Sequence, residues 1–110
     1  MTEFLETTES RRIAFQRLEG QGPEIVFLPG FASDMQGTKA LHLEAWARAR
    51  GRAFLRFDYS GHGASSGEFL DGAIGDWAAD AAAVAFATGG RKLLVGSSMG
   101  GWIALLLARE

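Results

Sequence analysis

Between Val95 and Trp102 the chain reads VGSSMGGW, two adjacent serines among glycines, directly after the apolar run KLLV. Gly96-Ser97-Ser98-Met99-Gly100 fits G-x-S-x-G with Ser98 at the centre. Ser97 does not fit, because Val95 and Met99 would then occupy the glycine positions. The chemistry that uses this spacing is acyl transfer to a serine hydroxyl. A nucleophile raised on a sharp turn between strand and helix has a strained backbone, so nearby side chains must be minimal. Gly96 and Gly100 meet that need, and the helix that follows aims its N-terminus at developing negative charge. Ser98 is therefore the candidate nucleophile. A Gly/Ser turn without chemistry is the alternative, and the strand before and helix after favour the nucleophile elbow.

Acyl transfer also needs an oxyanion hole of N–H donors. One belongs to the residue after the nucleophile, here Met99. The other comes from the loop after an earlier strand, and FLPGF offers it: Gly30 permits close backbone approach and Phe31 N–H is the expected donor. Pro29-Gly30 also reads as a simple turn, and its place after a strand expected beside the nucleophile strand decides for the donor. Neither a G-x-G-x-x-G dinucleotide turn nor a G-x-x-x-x-G-K-[ST] phosphate loop is present. With no cysteine, disulfides, thiolate catalysis and Cys-ligated zinc are excluded. His42 and His62 form no metal-ligand pair, so neither a metal nor an organic cofactor is implied.

Strands and helices must position these groups. RRIAFQRL (11–18) alternates like a strand with one buried face, expected at a sheet edge. EIVFL (24–28), AFLRFD (53–58) and KLLVG (92–96) are short apolar runs suited to strands buried on both sides. TKALHLEAWARAR (38–50) reads as a helix closed by Gly51 in the left-handed C′ position. Ile74, Trp77, Ala78, Ala81 and Ala85 share one helical face, with Asp76 and Asp80 on the other. MGGWIALLLARE is a third helix. The alternation predicts an α/β protein, three-layer α/β/α with a mostly parallel sheet. The whole chain, 1–110, is read as one partial domain with its folded core over about 10–110.

Composition bounds the partners. Hydrophobic residues make up 47%, and 13 acidic against 11 basic residues give a net charge of -2. Without a basic surplus no nucleic-acid partner is expected. The longest apolar stretch, WIALLLA (102–108), is too short to be a transmembrane segment. MTEFLETTES lacks the blocks of a leader peptide, and a cytoplasmic protein is expected.

FLPGF, RFDYSGHGASSG and VGSSMGGW, in that order, resemble the α/β-hydrolase superfamily. Asp58, Gly61, Gly63 and Ser65 match its D-x-x-G-x-G-x-S loop. More narrowly, GFASDMQGTKA, RFDYSGHG and LVGSSMGGW resemble the family of abhydrolase domain-containing protein 10. The resemblance runs from about Glu24 to Ala108. It implies serine hydrolysis of acyl thioesters or esters, a small-molecule or acyl-group ester substrate, Ser98 as nucleophile, and Phe31 and Met99 N–H as oxyanion donors. A non-catalytic hydrolase-like ligand-binding protein is the alternative.

The family's triad continues with Asp and then His, and MGGWIALLLARE after Ser98 holds neither. The chain therefore reads as an amino-terminal half, nearly inert alone, that self-associates or needs its carboxyl-terminal half. Within the chain, His62 is expected to line the entrance, with general base as the alternative, and His42 to sit on a partly exposed helix face. Asp58 is expected to cap its own loop through backbone N–H groups. Asp71, Asp76 and Asp80 are expected on a solvated face or at a helix N-cap. Arg56 is read as a paired charge at the sheet end, and Trp46, Trp77 and Trp102 as packing between helix and sheet.

Overall fold

The computed structural model describes residues 2–7, 10–30, 33–67 and 72–108. The elements are β1 (Glu3–Glu6), β2 (Arg12–Leu18), β3 (Gln21–Leu28), α1 (Thr38–Ala49), β4 (Arg52–Phe57), α2 (Ile74–Ala85), β5 (Lys92–Gly96) and α3 (Met99–Ala108). They build one sheet in the order β1-β2-β4-β3-β5. β4, β3 and β5 run parallel, whereas β1–β2 and β2–β4 are antiparallel, so the sheet is mixed. β2 is not the edge that its alternation suggests. The four residues EFLE form β1 outside it, with Leu5 against the core and Phe4 under the Arg12 guanidinium.

β3 explains the three layers. Its alternate residues feed two cores, as a strand buried on both faces must. Val26 and Leu28 meet Trp77, Ala81 and Val84 of α2 and Ile103 and Leu107 of α3. Ile25 and Phe27 meet Ala40 and Ala47 of α1 on the other face, beside Phe54. After α1, Arg50 N–H and Gly51 N–H return to the Ala47 and Arg48 carbonyls, with Gly51 at φ +66 as a C′ residue must be.

Three expectations fail on packing. Asp80 is not on a solvated face. It is fully buried, accepting Arg11 Nε at 2.7 Å and Ser60 N–H at 2.9 Å. The guanidinium from a distant part of the chain makes that burial tolerable. Trp77 packs between helix and sheet, 5% exposed, but Trp46 and Trp102 stand 41% and 59% exposed. Trp46 only borders an apolar hollow with Ile25, Phe54 and Leu93 of the sheet, and its ring lies under the Arg50 guanidinium. Asp76, by contrast, sits in the first turn of α2 and accepts Ala73 N–H, as expected of an acid there. Asp71 lies outside the described residues.

Candidate active site

The loops after β3, β4 and β5 meet at the carboxyl ends of the parallel strands, where open α/β sheets place their ligands. β5 ends at Gly96, level with Leu28 of β3. The chain then turns. Ser97 N–H donates to the Leu28 carbonyl at 3.1 Å, and Gly100 and Gly101 N–H return to the Ser97 and Ser98 carbonyls at 2.9 Å. Ser98 sits at the tip with φ +57, in the left-handed region that side chains ordinarily avoid, and is exposed. α3 starts at Met99, whose N–H belongs to the first turn of a helix.

The glycines make this turn possible. A side chain at Gly96 would run into the backbone of Gly100 and Gly101, and one at Gly100 into the Leu28 carbonyl. Gly30 is packed less severely but still tightly: its Cβ would lie 3.1 Å from the Ser97 carbonyl oxygen and 3.4 Å from Ser98 Cβ. Phe31, the expected second donor, lies outside the described residues.

The loop after β4 is tied to the loop after β3. Asp58 is buried, and its two carboxylate oxygens accept Met35 N–H at 2.7 Å and Ala64 N–H at 2.8 Å. It caps its loop as expected, rather than orienting a histidine. Burial raises its pKa above the ordinary carboxylate range, against the opposing pull of those N–H groups. A side chain at Gly63, φ +49, would strike the Asp58 carboxylate. Arg56, 4% exposed, is paired as expected. It binds Glu44, Gln16 and Gln36, and donates to the Met35 carbonyl at 2.8 Å. Tyr59 donates its hydroxyl to the Pro29 carbonyl at 2.8 Å. Burial, and then the charge of Asp80, push its phenol well above the ordinary value, so it remains a donor.

His62 does not line the entrance. It is 5% exposed, its Nδ1 lies 3.1 Å from the Ser60 carbonyl, and its ring packs edge-on against Trp77 and Tyr59. His42 is exposed on α1, as expected, and lines a cavity of about 570 Å³ shared with Lys39, Val95, Ser97 and Ser98. Lys39 Nζ donates to Ser97 Oγ at 3.2 Å. A larger hollow of about 690 Å³ lies at the opposite end of the parallel strands, around Gly22, Ala53 and Arg91, away from the serines. Lys39 and Tyr59 carry no sequence motif. The nearest hint was that Tyr59, the single tyrosine, stands inside the matched loop. Among the described residues no group of three His, Asp or Glu side chains converges to hold a metal. No described helix is long and apolar enough to cross a membrane.

Residues 25–109 match the model of the alpha/beta hydrolase family. Palmitoyl-protein thioesterase ABHD10, mitochondrial, of Rattus norvegicus is 42% identical over 103 residues, covering 93% of this chain and 35% of its own length. The Homo sapiens protein of the same name is 41% identical, with 34% of its length covered. The chain thus spans about a third of the curated relatives it matches. Among solved structures, mouse alpha/beta hydrolase domain-containing protein 10 superposes with TM-score 0.92 at 40% identity, over 98% of this chain and 44% of that one. A putative hydrolase from Agrobacterium vitis gives 0.90 at 42% identity, over 99% and 44%. These relatives overturn the cytoplasmic expectation, because the curated ones are named as mitochondrial. That expectation rested on MTEFLETTES lacking leader-like blocks, and composition does not fix the compartment, because a chain without thiols is indifferent to redox poise.

Proposed function

The chain belongs to the alpha/beta hydrolase family, and on that premise we propose that Ser98 is the nucleophile of a serine hydrolase cleaving acyl thioesters or carboxylic esters. The observation that carries this reading is the left-handed, exposed backbone of Ser98 on the turn from β5 into α3, packed by three glycines. Ser98 Oγ attacks the acyl carbonyl, and its proton passes to a histidine that these residues do not contain. N–H groups of Met99 and Phe31 hold the oxyanion. The thiol or alcohol departs with that proton, and water then releases the acid from the acyl-enzyme. The names of the relatives support a fatty-acyl thioester as substrate and the mitochondrion as location.

The triad Asp and His are proposed to lie in polypeptide of the kind that makes the relatives longer. β5 ends the described sheet, with Leu93 49% exposed along it. That apolar edge is proposed to be covered by such polypeptide or, failing it, by a second copy. Without the base the chain is nearly inert, losing about 10⁶ in kcat as serine proteases do without their histidine.

Intact-mass measurement with a fluorophosphonate probe tests the proposal, with free imidazole supplied in place of the missing base. The expected result is a slow single adduct that imidazole accelerates and Ser98→Ala abolishes. An adduct that survives Ser98→Ala overturns the assignment. No adduct under any condition favours the second reading, a ligand-binding protein.

A further inference from the structure

We infer that Tyr59 is a positioning residue, whose hydroxyl fixes the Pro29–Gly30 peptide and thereby sets how closely the Gly30 backbone approaches the serine pair. The inference rests on the serine hydrolase reading for its consequence, though not for its geometry. Tyr59 is fully buried in an apolar cluster, its ring edge-on to Phe57 with centroids 5.1 Å apart. Phenylalanine would fill that space equally well, so the hydroxyl is what the tyrosine adds. A buried hydroxyl must find a partner, and it finds the Pro29 carbonyl at 2.8 Å.

A trans peptide is a rigid plane, so holding its carbonyl oxygen orients the Gly30 N–H on the opposite side. Gly30 is the residue whose backbone lies against Ser97 and Ser98. The first turn of α3 sits on the same carbonyls, since a side chain at Gly100 would strike Leu28 and come within 2.7 Å of Pro29 O. A shift of the Pro29 carbonyl therefore reaches both the Gly30 loop and the serine turn. The far end of the loop is held separately: Met35 N–H by Asp58 and Met35 O by Arg56. Three residues at the carboxyl end of β4 thus pin the loop twice, and Tyr59 is the pin beside the serines.

The test compares wild type, Tyr59→Phe and Val84→Ala, a truncation on α2 in the same apolar cluster that leaves the Tyr59 hydroxyl in place. Two quantities are read. One is amide hydrogen exchange at Ser33, whose N–H donates to the Gly30 carbonyl at 3.1 Å. The other is affinity for phenylboronic acid by ¹¹B NMR. In that adduct Ser98 Oγ bonds to boron, which becomes tetrahedral and anionic as the proton leaves to solvent. Tyr59→Phe is expected to speed Ser33 exchange about tenfold. It is expected to weaken the boronate adduct about tenfold to a hundredfold, as a small misplacement of the site does. Val84→Ala should change neither. Unchanged Ser33 exchange, unchanged boronate affinity, or equal effects from Val84→Ala would overturn the inference. If wild type forms no adduct at all, as a chain without its base can, the hydrolase reading stands untouched and Ser33 exchange alone decides whether Tyr59 holds the loop.

Discussion

The two flanks of β3 are held by different physics. On the β4 flank, the buried polar groups near the site are paired: Arg56 on Glu44, Gln16 and Met35, Asp58 on two N–H groups, Asp80 on Arg11 and Ser60. β2 and β1 extend the sheet beyond it. On the β5 flank Lys92 pairs with Glu24 at 2.8 Å at the end away from the serines, and large apolar side chains face outward. Leu93, Trp102 and Leu105 are 49%, 59% and 63% exposed. The helix that carries the serine turn is thus apolar nearly all round, a pattern typical of buried helices. The comparison teaches that the candidate site straddles a finished flank and an unfinished one: the Gly30 loop is anchored by the first, and Ser98 rides on the second.

Two tryptophans give the largest contrast. Trp77 is buried between α2 and the sheet, and its indole N–H donates to the Ser60 carbonyl at 3.1 Å. Trp77→Ala is expected to lose about 4 kcal/mol in urea unfolding. A loss under about 1 kcal/mol would mean that the β4 flank is looser than its contacts imply. Next comes Asp80→Asn, which removes a fully buried charge from its ion pair with Arg11 and should cost about 3 kcal/mol. Equal loss in the Arg11→Met variant and in the double variant would show that the pair acts as a unit.

Asp58 sharpens the comparison through pH. Its folded pKa is raised by burial, so the folded protein keeps that proton to higher pH than the unfolded chain does. Its contribution to stability is therefore greatest in acid, and is lost as pH rises from about 4 through the raised folded value. Wild type should lose stability relative to Asp58→Asn across that window, as read from paired thermal midpoints. Wild type gaining stability relative to Asp58→Asn as pH rises would reverse the sign and refute the burial argument. The smallest effect on folding is expected at Trp102→Gln, within about 0.5 kcal/mol. Sedimentation velocity should nevertheless show less self-association than wild type. A wild-type chain that is monomeric at every concentration would show that the β5 flank needs no cover.

Much of this was legible in the chain. The apolar runs 24–28, 53–58 and 92–96 are strands, the second ending at Phe57, because continuous apolar runs suit a sheet; the third is not buried on both faces as expected, since β5 is the edge of the described sheet and Leu93 stands 49% exposed. Gly51 ends α1 because only glycine enters the left-handed region without cost. The left-handed turn at Ser98 follows from Gly96 and Gly100 on either side of it. β1 was not legible, because four residues carry too little period to separate strand from tail. Asp80 misled because helical spacing put it opposite the apolar stripe, and nothing local announces an arginine 69 positions away.

By itself the sequence determined the alternation of strand and helix, the tight turn at Ser98, and the absence of thiol chemistry. These depend on backbone freedom, local period and residue type, which neighbours along the chain decide. Only the tertiary structure decided that Asp80 is buried, that His62 packs inward, that Trp46 and Trp102 face outward, and that Tyr59 holds Pro29. Each of those depends on which surface a side chain meets, and that surface comes from residues far away in sequence.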